Sequence, residues 1–352
     1  MNRPSSRRIA ISCAALVLLS LAACLLFVSA YPLPEVRNDA VEYLDIARNV
    51  AAGKGFTQDG ITPMVYRPPL FSVLLGGWFF LTGTSSVFSA AIFQSLLHAL
   101  GISAAFFLFL ALTPSLPWAA GASVFLAANP LLVTRAVFVL QEPTILLFTT
   151  LSVLASVRLL RVPSSGRAAL AGVAWGVCTL AKTVCWFAPF LLLAMRLLPA
   201  RLRWSWRGRE AAYLLLCFVA VIAPWTIRNY IHFHRFIPVN GQGTGILEWN
   251  VSHAEPPGAL PGNRLIEDLD RHGVTGEQRI SAMTEYVRGN LRYFLVDRTV
   301  SNALHFACPA RDWWWSRGRF GPGDPRPWYW TIHDYGFWIL YLFLAYRTLL
   351  WV

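Results

Sequence analysis

Residues 39–71 bring together side chains able to do chemistry at a membrane surface: Asp39, Glu42, Tyr43 and Arg67. Glu42 and Tyr43 follow Asp39 by three and four positions, which sets two carboxylates and a phenol on one helical face. Arg67 precedes Pro68-Pro69, and a residue before proline is pushed out of the helical region, so its guanidinium is presented from an extended backbone. Further along, Glu142, Lys182, Arg228 and Asn229 stand at the edges of apolar runs. Ionisable groups there are expensive unless they are paired or functional. Acids offer proton transfer, cations offer a seat for an anionic group, and an adjoining bilayer can deliver a lipid. Transfer from a lipid phosphate uses all of these parts.

Each group also has a plainer role open to it. Asp39 suits the N-cap of a helix over 40–52, Glu42 a solvated or paired surface position, and Arg67 a guanidinium snorkelling to headgroups. Lys182 lies where two short apolar runs meet, which snorkelling explains less well, and Pro224-Trp-Thr-Ile-Arg228-Asn229 sets a guanidinium and an amide at the end of another run. His98, inside an apolar run, reads as a hydrogen-bonded core residue. The other six histidines are too scattered for a metal site, and the six cysteines follow neither a disulfide framework nor a metal-ligand spacing. No Walker motif, Rossmann fingerprint, Gly-x-Ser-x-Gly elbow or His-Glu-x-x-His occurs, so soluble-nucleotide chemistry lacks a cradle.

The elements that must position these groups follow from composition. The chain has 352 residues, 56% of them hydrophobic and only 14% charged, against roughly 25% charged in soluble domains, which predicts an all-α polytopic membrane protein. Its net charge of +12 comes from Lys and Arg clustered beside apolar runs, the mark of cytoplasmic loops rather than of nucleic-acid binding. Residues 9–30 resemble a secretory signal and contain a lipoprotein-like Leu21-Ala22-Ala23-Cys24, but 22 residues are long enough for an uncleaved first span. An outer segment, 31–67, carries a juxtamembrane helix that Gly53-Lys54-Gly55 ends. Residues 68–82 and 87–112 then read as an out-to-in and an in-to-out span.

Strict alternation beyond that point would leave Glu142 inside and Arg158, Arg161 and Arg167 outside, against the positive-inside rule. The expected repair is a re-entrant or half-helix pair over 117–136, broken at Asn129-Pro130, that starts and finishes on the outer side. Spans over 143–160, 168–181, 186–199 and 211–227 follow, with Arg196, Arg201, Arg203, Arg207 and Arg209 inside. The total is about 8–9 membrane segments in three regions: a transmembrane catalytic module (1–231), an outward-facing cover (232–334) and a last span (335–352). The cover is expected to carry an amphipathic helix near 277–295 and an aromatic belt, Trp313-Trp314-Trp315 with Trp328, Tyr329 and Trp330. The last span stops at Val352 without a basic flank, which reads as a short or truncated chain.

Asp39…Tyr43…Ala47…Asn49…Gly53-x-Gly55, Tyr66-Arg-Pro-Pro-Leu70, Gly83, Gln141-Glu142-Pro143, Leu180-Ala-Lys182 and Pro224-Trp-x-x-Arg228-Asn229, in that order and spacing, resemble the bacterial relatives of dolichyl-phosphate-mannose protein mannosyltransferases and of lipid A aminoarabinose transferases. These are membrane glycosyltransferases of the GT-C fold. The resemblance covers roughly residues 10–245 and, more loosely, 277–295; family chains generally carry further spans after the outer loop, and this one departs from that. It implies a polyprenyl-phosphate-linked sugar donor and inverting transfer to a glycan, lipid or protein acceptor, beside membrane lipids. Asp39 would be the general base, or would orient an anionic acceptor, and Glu142 would complete the acceptor side or stabilise an oxocarbenium-like transition state. Arg67, Lys182 and Arg228 would bind the phosphate, with Glu42, Tyr43 and Asn229 completing the substrate-binding set. No metal or other cofactor is implied. In a bacterial cell the expected location is the inner membrane, with the N-terminus cytoplasmic and the site facing the periplasm. A transporter or flippase of a lipid-linked sugar, or an inactive assembly partner, are the rival readings. Charges gathered on one face, without two similar halves, weigh against a transporter.

Overall fold

The computed structural model describes residues 5–30, 36, 38–113, 115–195, 208–241 and 243–298. The expected aromatic belt, the last span over 335–352 and Arg196, Arg201, Arg203 and Arg207 lie outside the described residues. Among those described, all regular structure is helical: α1 (Ser6–Ala30), α2 (Asp39–Ala51), α3 (Pro69–Thr82), α4 (Val87–Leu112), α5 (Leu116–Ala127), α6 (Pro130–Val137), α7 (Glu142–Arg161), α8 (Ser165–Ala181), α9 (Ala188–Ala194), α10 (Gly208–Phe233), α11 (Gly243–Ser252), α12 (Gly262–Arg271) and α13 (Gly276–Gly289). Local chemistry sets their ends. Pro68 and Pro69 open α3, the Ser86 hydroxyl caps α4 by accepting from Ser89 N, and Asn129 Oδ1 caps α6. Gly53 (φ 73°) and Gly83 (φ 67°) turn the chain out of α2 and α3 in the left-handed region.

Helices α1, α4, α7 and α10 are long and apolar enough to cross a membrane, and α5 with α6 forms a fifth such unit, bent by 54° at Asn129-Pro130. The break expected at that dipeptide is present. The protein is an all-α polytopic membrane protein.

The path of the chain differs from the expected one at α3. Helices α4 and α7 run side by side in the same direction: Gln94 bonds the 138–140 segment, Gly101 meets Leu146 and Leu147, and Arg161 donates to the Ala111 carbonyl. Helix α1 runs opposite to them, since Leu16 packs with Ile102 and Phe106 whereas Cys24 packs with Val133 and Val137. Helix α8 is also opposite, with Trp175 bonded to Ser156 and Cys178 to Thr149. The start of α4, the start of α7 and the end of α8 therefore share one end of the bundle.

Helix α3 lies across that end. Its Phe71 stacks on Tyr43, its Phe79 packs with Ala90, and its Trp78 donates to Ser89 in the first turn of α4. It does not cross, so α4 takes the direction assigned to 68–82, and α5 with α6 becomes a single broken span rather than a re-entrant pair. Counting α3 as a crossing is what made the later arginines fall on the wrong side. Arg7 and Arg8 at the start of α1, Arg158 and Arg161 at the end of α7, and Arg167 at the start of α8 lie at the end of the bundle opposite α2 and α3.

Helix α2 runs beside α3, burying Ala40, Tyr43, Leu44 and Ala47 against Phe71, Leu75 and Phe79. The two backbones approach closely because Gly76 has no side chain: a Cβ there would lie 2.7 Å from Val50 Cγ1 and 2.9 Å from the Ala47 carbonyl oxygen. Gly172 and Gly176 do the same where α8 meets α10, a Cβ at Gly172 falling 2.2 Å from the Leu214 carbonyl oxygen. Helices of this length and composition associate in lipid through such close packing of small residues.

The described residues from Gly241 to Arg298 belong to a second compact unit. Within it Val251, Leu269 and Met283 make a small core, and Arg279 bridges Glu248 (2.8 Å) and Asp270 (2.7 Å). The helix expected near 277–295 is present as α13 but ends at Gly289, and a π-helical turn over Tyr293–Asp297 follows.

Candidate active site

Asp39 is the first residue of α2 rather than its cap: Asn38 holds the cap position at φ 52°, and no side chain caps the helix. The carboxylate reaches Arg67 instead. Arg67 Nη2 donates to Asp39 Oδ1 at 2.7 Å and Arg67 Nε donates to Glu42 Oε2 at 2.6 Å, so one guanidinium fork spans both acids. Its carbon lies 5.2 Å from the centre of the Tyr43 ring, a cation–π approach. Arg67 is 13% exposed and Asp39 55%, so the cation is fixed within the fold while the acid faces outward. Asp39 Oδ2 has no partner among the described residues. Burial works against the Arg67 charge, but its hydrogen bonds to Glu42 and Asp39 outweigh burial and keep the guanidinium protonated beyond its ordinary range.

A second set of groups comes from the entry to α7. Buried Gln94 of α4 donates to the Phe138 carbonyl and accepts from Leu140 N (3.0 Å), fixing the turn that presents Gln141 and Glu142. In the orientation that satisfies its neighbours, the Gln141 amide oxygen accepts from Lys182 Nζ (3.1 Å). Its nitrogen donates to the Ala181 carbonyl (3.1 Å) and to the Tyr43 hydroxyl (3.2 Å). This amide ties α2 to the end of α8. Glu142 Oε1 lies 3.5 Å from Arg135 Nη1 of α6. The Tyr43 phenol is held protonated well above its usual range by burial first; Arg67 opposes this, and the charges of Asp39 and Glu142 reinforce it. Asp39, Glu42, Tyr43, Arg67, Glu142 and Lys182 are therefore one constellation built from α2, the start of α3, the entry to α7 and the end of α8.

Arg228 and Asn229 are placed differently. Arg228 donates to the carbonyls of Met64 (2.8 Å) and Phe56 (3.2 Å) and lies 4.9 Å from the Trp225 ring centre. Asn229, fully buried, donates to the carbonyls of Ile237 and Val239. Arg228 thus anchors the 56–64 segment that leads into Arg67, a segment also stitched by Asn49 to Thr57 and by Asp59 to Ile61 and Thr62. Arg228→Ala should take the guanidinium from the Met64 carbonyl and leave the Phe56 carbonyl with Met64 N alone (3.0 Å), speeding amide exchange across 56–66 by roughly tenfold. Unchanged protection there would show that the guanidinium is not the anchor.

Residues missed in the sequence are Arg135 and Gln94, and Gln141 was noted only within the Gln141-Glu142-Pro143 motif, without a role. Arg135 carried a signal, being a charge inside the apolar 117–136 stretch seven positions before Glu142. A glutamine in an apolar run carries none.

A family model described as dolichyl-phosphate-mannose-protein mannosyltransferase matches residues 59–237, half of the chain. The chain belongs to this family. No curated protein and no solved structure matches it at a significant level. The mannosyltransferase match takes in Arg67, Arg135, Glu142, Lys182, Arg228 and Asn229 and begins downstream of Asp39, Glu42 and Tyr43. Membership makes the protein a membrane glycosyltransferase and implies a polyprenyl-phosphate-linked sugar as donor. For such a mannosyltransferase, the constellation supplies an acid open to solvent, a second acid beside Arg135, and Lys182 at a helix end.

Proposed function

We propose that this family member transfers a sugar from a polyprenyl-phosphate donor to an acceptor hydroxyl on the non-cytoplasmic face of the membrane, with inversion at the anomeric carbon. The observation that carries the reading is the Arg67 fork, which holds Asp39 through Oδ1 while Oδ2 has no partner among the described residues. Asp39 takes the proton from the acceptor hydroxyl as that oxygen bonds to the anomeric carbon, while the bond from that carbon to the phosphate oxygen breaks on the opposite side. Lys182 and Arg135 offset the charge gathering on the departing phosphate, and Glu142 steadies the positive charge developing on the sugar. Glu42 and Tyr43 hold Arg67 in place and line the acceptor side.

Orientation is supported by the positive-inside rule, because the basic ends of α1, α7 and α8 lie opposite the constellation. In a bacterial cell that face is the periplasm. The acceptor is a glycan, lipid or protein carrying a nucleophilic hydroxyl.

The test is turnover of a labelled polyprenyl-phosphate mannose by purified protein in proteoliposomes, with the anomeric configuration of the product read by NMR. Release of polyprenyl phosphate with inverted product is expected. Movement of the labelled lipid across the bilayer without sugar release would replace the transferase reading with a transporter, and retained configuration would remove the single-displacement role of Asp39.

A further inference from the structure

A second amide joins the two sides of the constellation, at a place the family match does not reach. Asn240 lies beyond the matched residues 59–237 and is the last residue of the first compact unit. Its Oδ1 accepts from Thr183 Oγ1 at 2.8 Å, and its Nδ2 donates to the Tyr66 carbonyl at 3.2 Å. Thr183 follows Lys182, and Tyr66 precedes Arg67. The amide is therefore one peptide removed from Lys182 on one side, and on the other from the guanidinium that holds Asp39 and Glu42.

Asn240 is itself fixed, because the strap before it is bonded to α10. Asn229 Nδ2 donates to the carbonyls of Ile237 (2.9 Å) and Val239 (3.1 Å). Thr226 Oγ1 donates to the Pro238 carbonyl (2.9 Å) and Trp225 Nε1 to the Val239 carbonyl (2.7 Å). Val239, 1% exposed, packs into the core that Trp175 and Cys178 of α8 share with Phe218 and Ile222 of α10. The backbones that the amide meets are pinned as well. Lys182 N donates to the Cys178 carbonyl (2.8 Å) and the Lys182 carbonyl accepts from Cys185 N (2.9 Å). On the other side the Met64 carbonyl, two residues before Tyr66, accepts from Arg228.

We propose that Asn240 is a positioning residue, its amide a strut that sets the gap between Lys182, where the phosphate departs, and Asp39, the base. This inference rests on the roles given to Lys182 and Asp39 under the proposed function. Donor binding engages the Lys182 side alone. The transition state needs the phosphate and the acceptor hydroxyl held in line at the same moment, and a small misplacement there is costly in rate. The strut therefore acts on kcat and leaves the KM for the donor unchanged. Its two bonds can be broken one at a time. An aspartate at 240 still accepts from Thr183 but has no donor for the Tyr66 carbonyl, whereas valine at 183 removes the other bond at nearly constant shape.

The first readout needs no turnover. The chain has two lysines, Lys54 and Lys182, so in ¹⁵N-lysine-labelled protein reconstituted in lipid the Lys182 amino resonance is the one that survives Lys54→Arg. Lys182 Nζ donates to the Gln141 amide oxygen, so this resonance reports where the end of α8 sits. It should shift in both Asn240→Asp and Thr183→Val and return to its wild-type position in Thr183→Ser, which keeps the hydroxyl. A resonance that moves in neither variant overturns the strut, whatever the activity. The second readout is kinetic: with a labelled polyprenyl-phosphate sugar, Asn240→Asp and Thr183→Val should each lower kcat roughly 10- to 100-fold at unchanged KM, and Thr183→Ser should restore it. Unchanged kcat, a loss confined to KM, or no rescue by Thr183→Ser overturns the positioning role. If the lysine resonance responds as expected and wild type turns over no donor, the strut stands and the failure belongs to the transferase mechanism.

Discussion

Asp39→Asn should abolish sugar transfer while leaving the protein folded. The asparagine carbonyl can still accept from Arg67 Nη2, so the geometry around the fork survives. The amide cannot accept a proton from an acceptor hydroxyl at neutral pH, and loss of a general base lowers turnover by roughly 10²–10⁴-fold. The helix loses little, because Asp39 is more than half exposed and no side chain caps α2. Initial rates of release from a labelled polyprenyl-phosphate sugar, with wild type and variant matched for folded protein, decide the matter. Equal rates would reduce Asp39 to an ion-pair partner of Arg67 and move the base elsewhere.

Arg67 gives the second large effect. Arg67→Ala removes the guanidinium that bonds both Asp39 and Glu42, leaving two like charges three positions apart on one helical face with Tyr43 uncovered beneath them. A fall in kcat/KM of about 10²–10³ is expected, the range seen when one preorganised electrostatic contact is deleted. Arg67→Lys should recover only part of it, because a lysine is a point charge that cannot fork between two carboxylates while lying over a ring. If Arg67→Lys matched wild type in kcat/KM, the fork geometry would be irrelevant and only the positive charge would count. Thermal unfolding of both variants in lipid separates lost chemistry from lost fold.

Helix boundaries were largely legible because they are written in local chemistry. Proline pairs, a serine cap at 86, the Asn129-Pro130 break and left-handed glycines work in the same way wherever the rest of the chain goes. The crossing of α3 was not legible. Its residues are apolar on nearly every side, and hydropathy cannot separate a short span from a helix laid across the end of a bundle. What distinguishes them is Trp78 reaching Ser89 and Phe71 reaching Tyr43, which are tertiary contacts. One miscounted crossing then forced a re-entrant pair that the structure does not need. At the site, the acids and Arg67 were legible from spacing. Arg228 shows the limit, since a guanidinium bonding backbone carbonyls and one awaiting a phosphate look identical in sequence.

The shelf formed by α2 and α3 has a mechanical consequence. It is joined at three levels, by the Arg67 fork, by Ser72 Oγ reaching the Tyr43 carbonyl at 3.4 Å, and by the glycine contact at Ala47 and Val50. Any displacement must carry the acids and their guanidinium as a single stiff plate. The opposite bank, the Gln141 turn and Lys182, meets that plate through the Gln141 amide on Tyr43 and through Val139, which packs in the same core as Tyr43 and Phe71. Entry of a bulky lipid-borne sugar between Tyr43 and Gln141 would then leave Asp39 and Glu42 at unchanged spacing on their guanidinium, while Glu142, on the opposite bank, would change its distance to both.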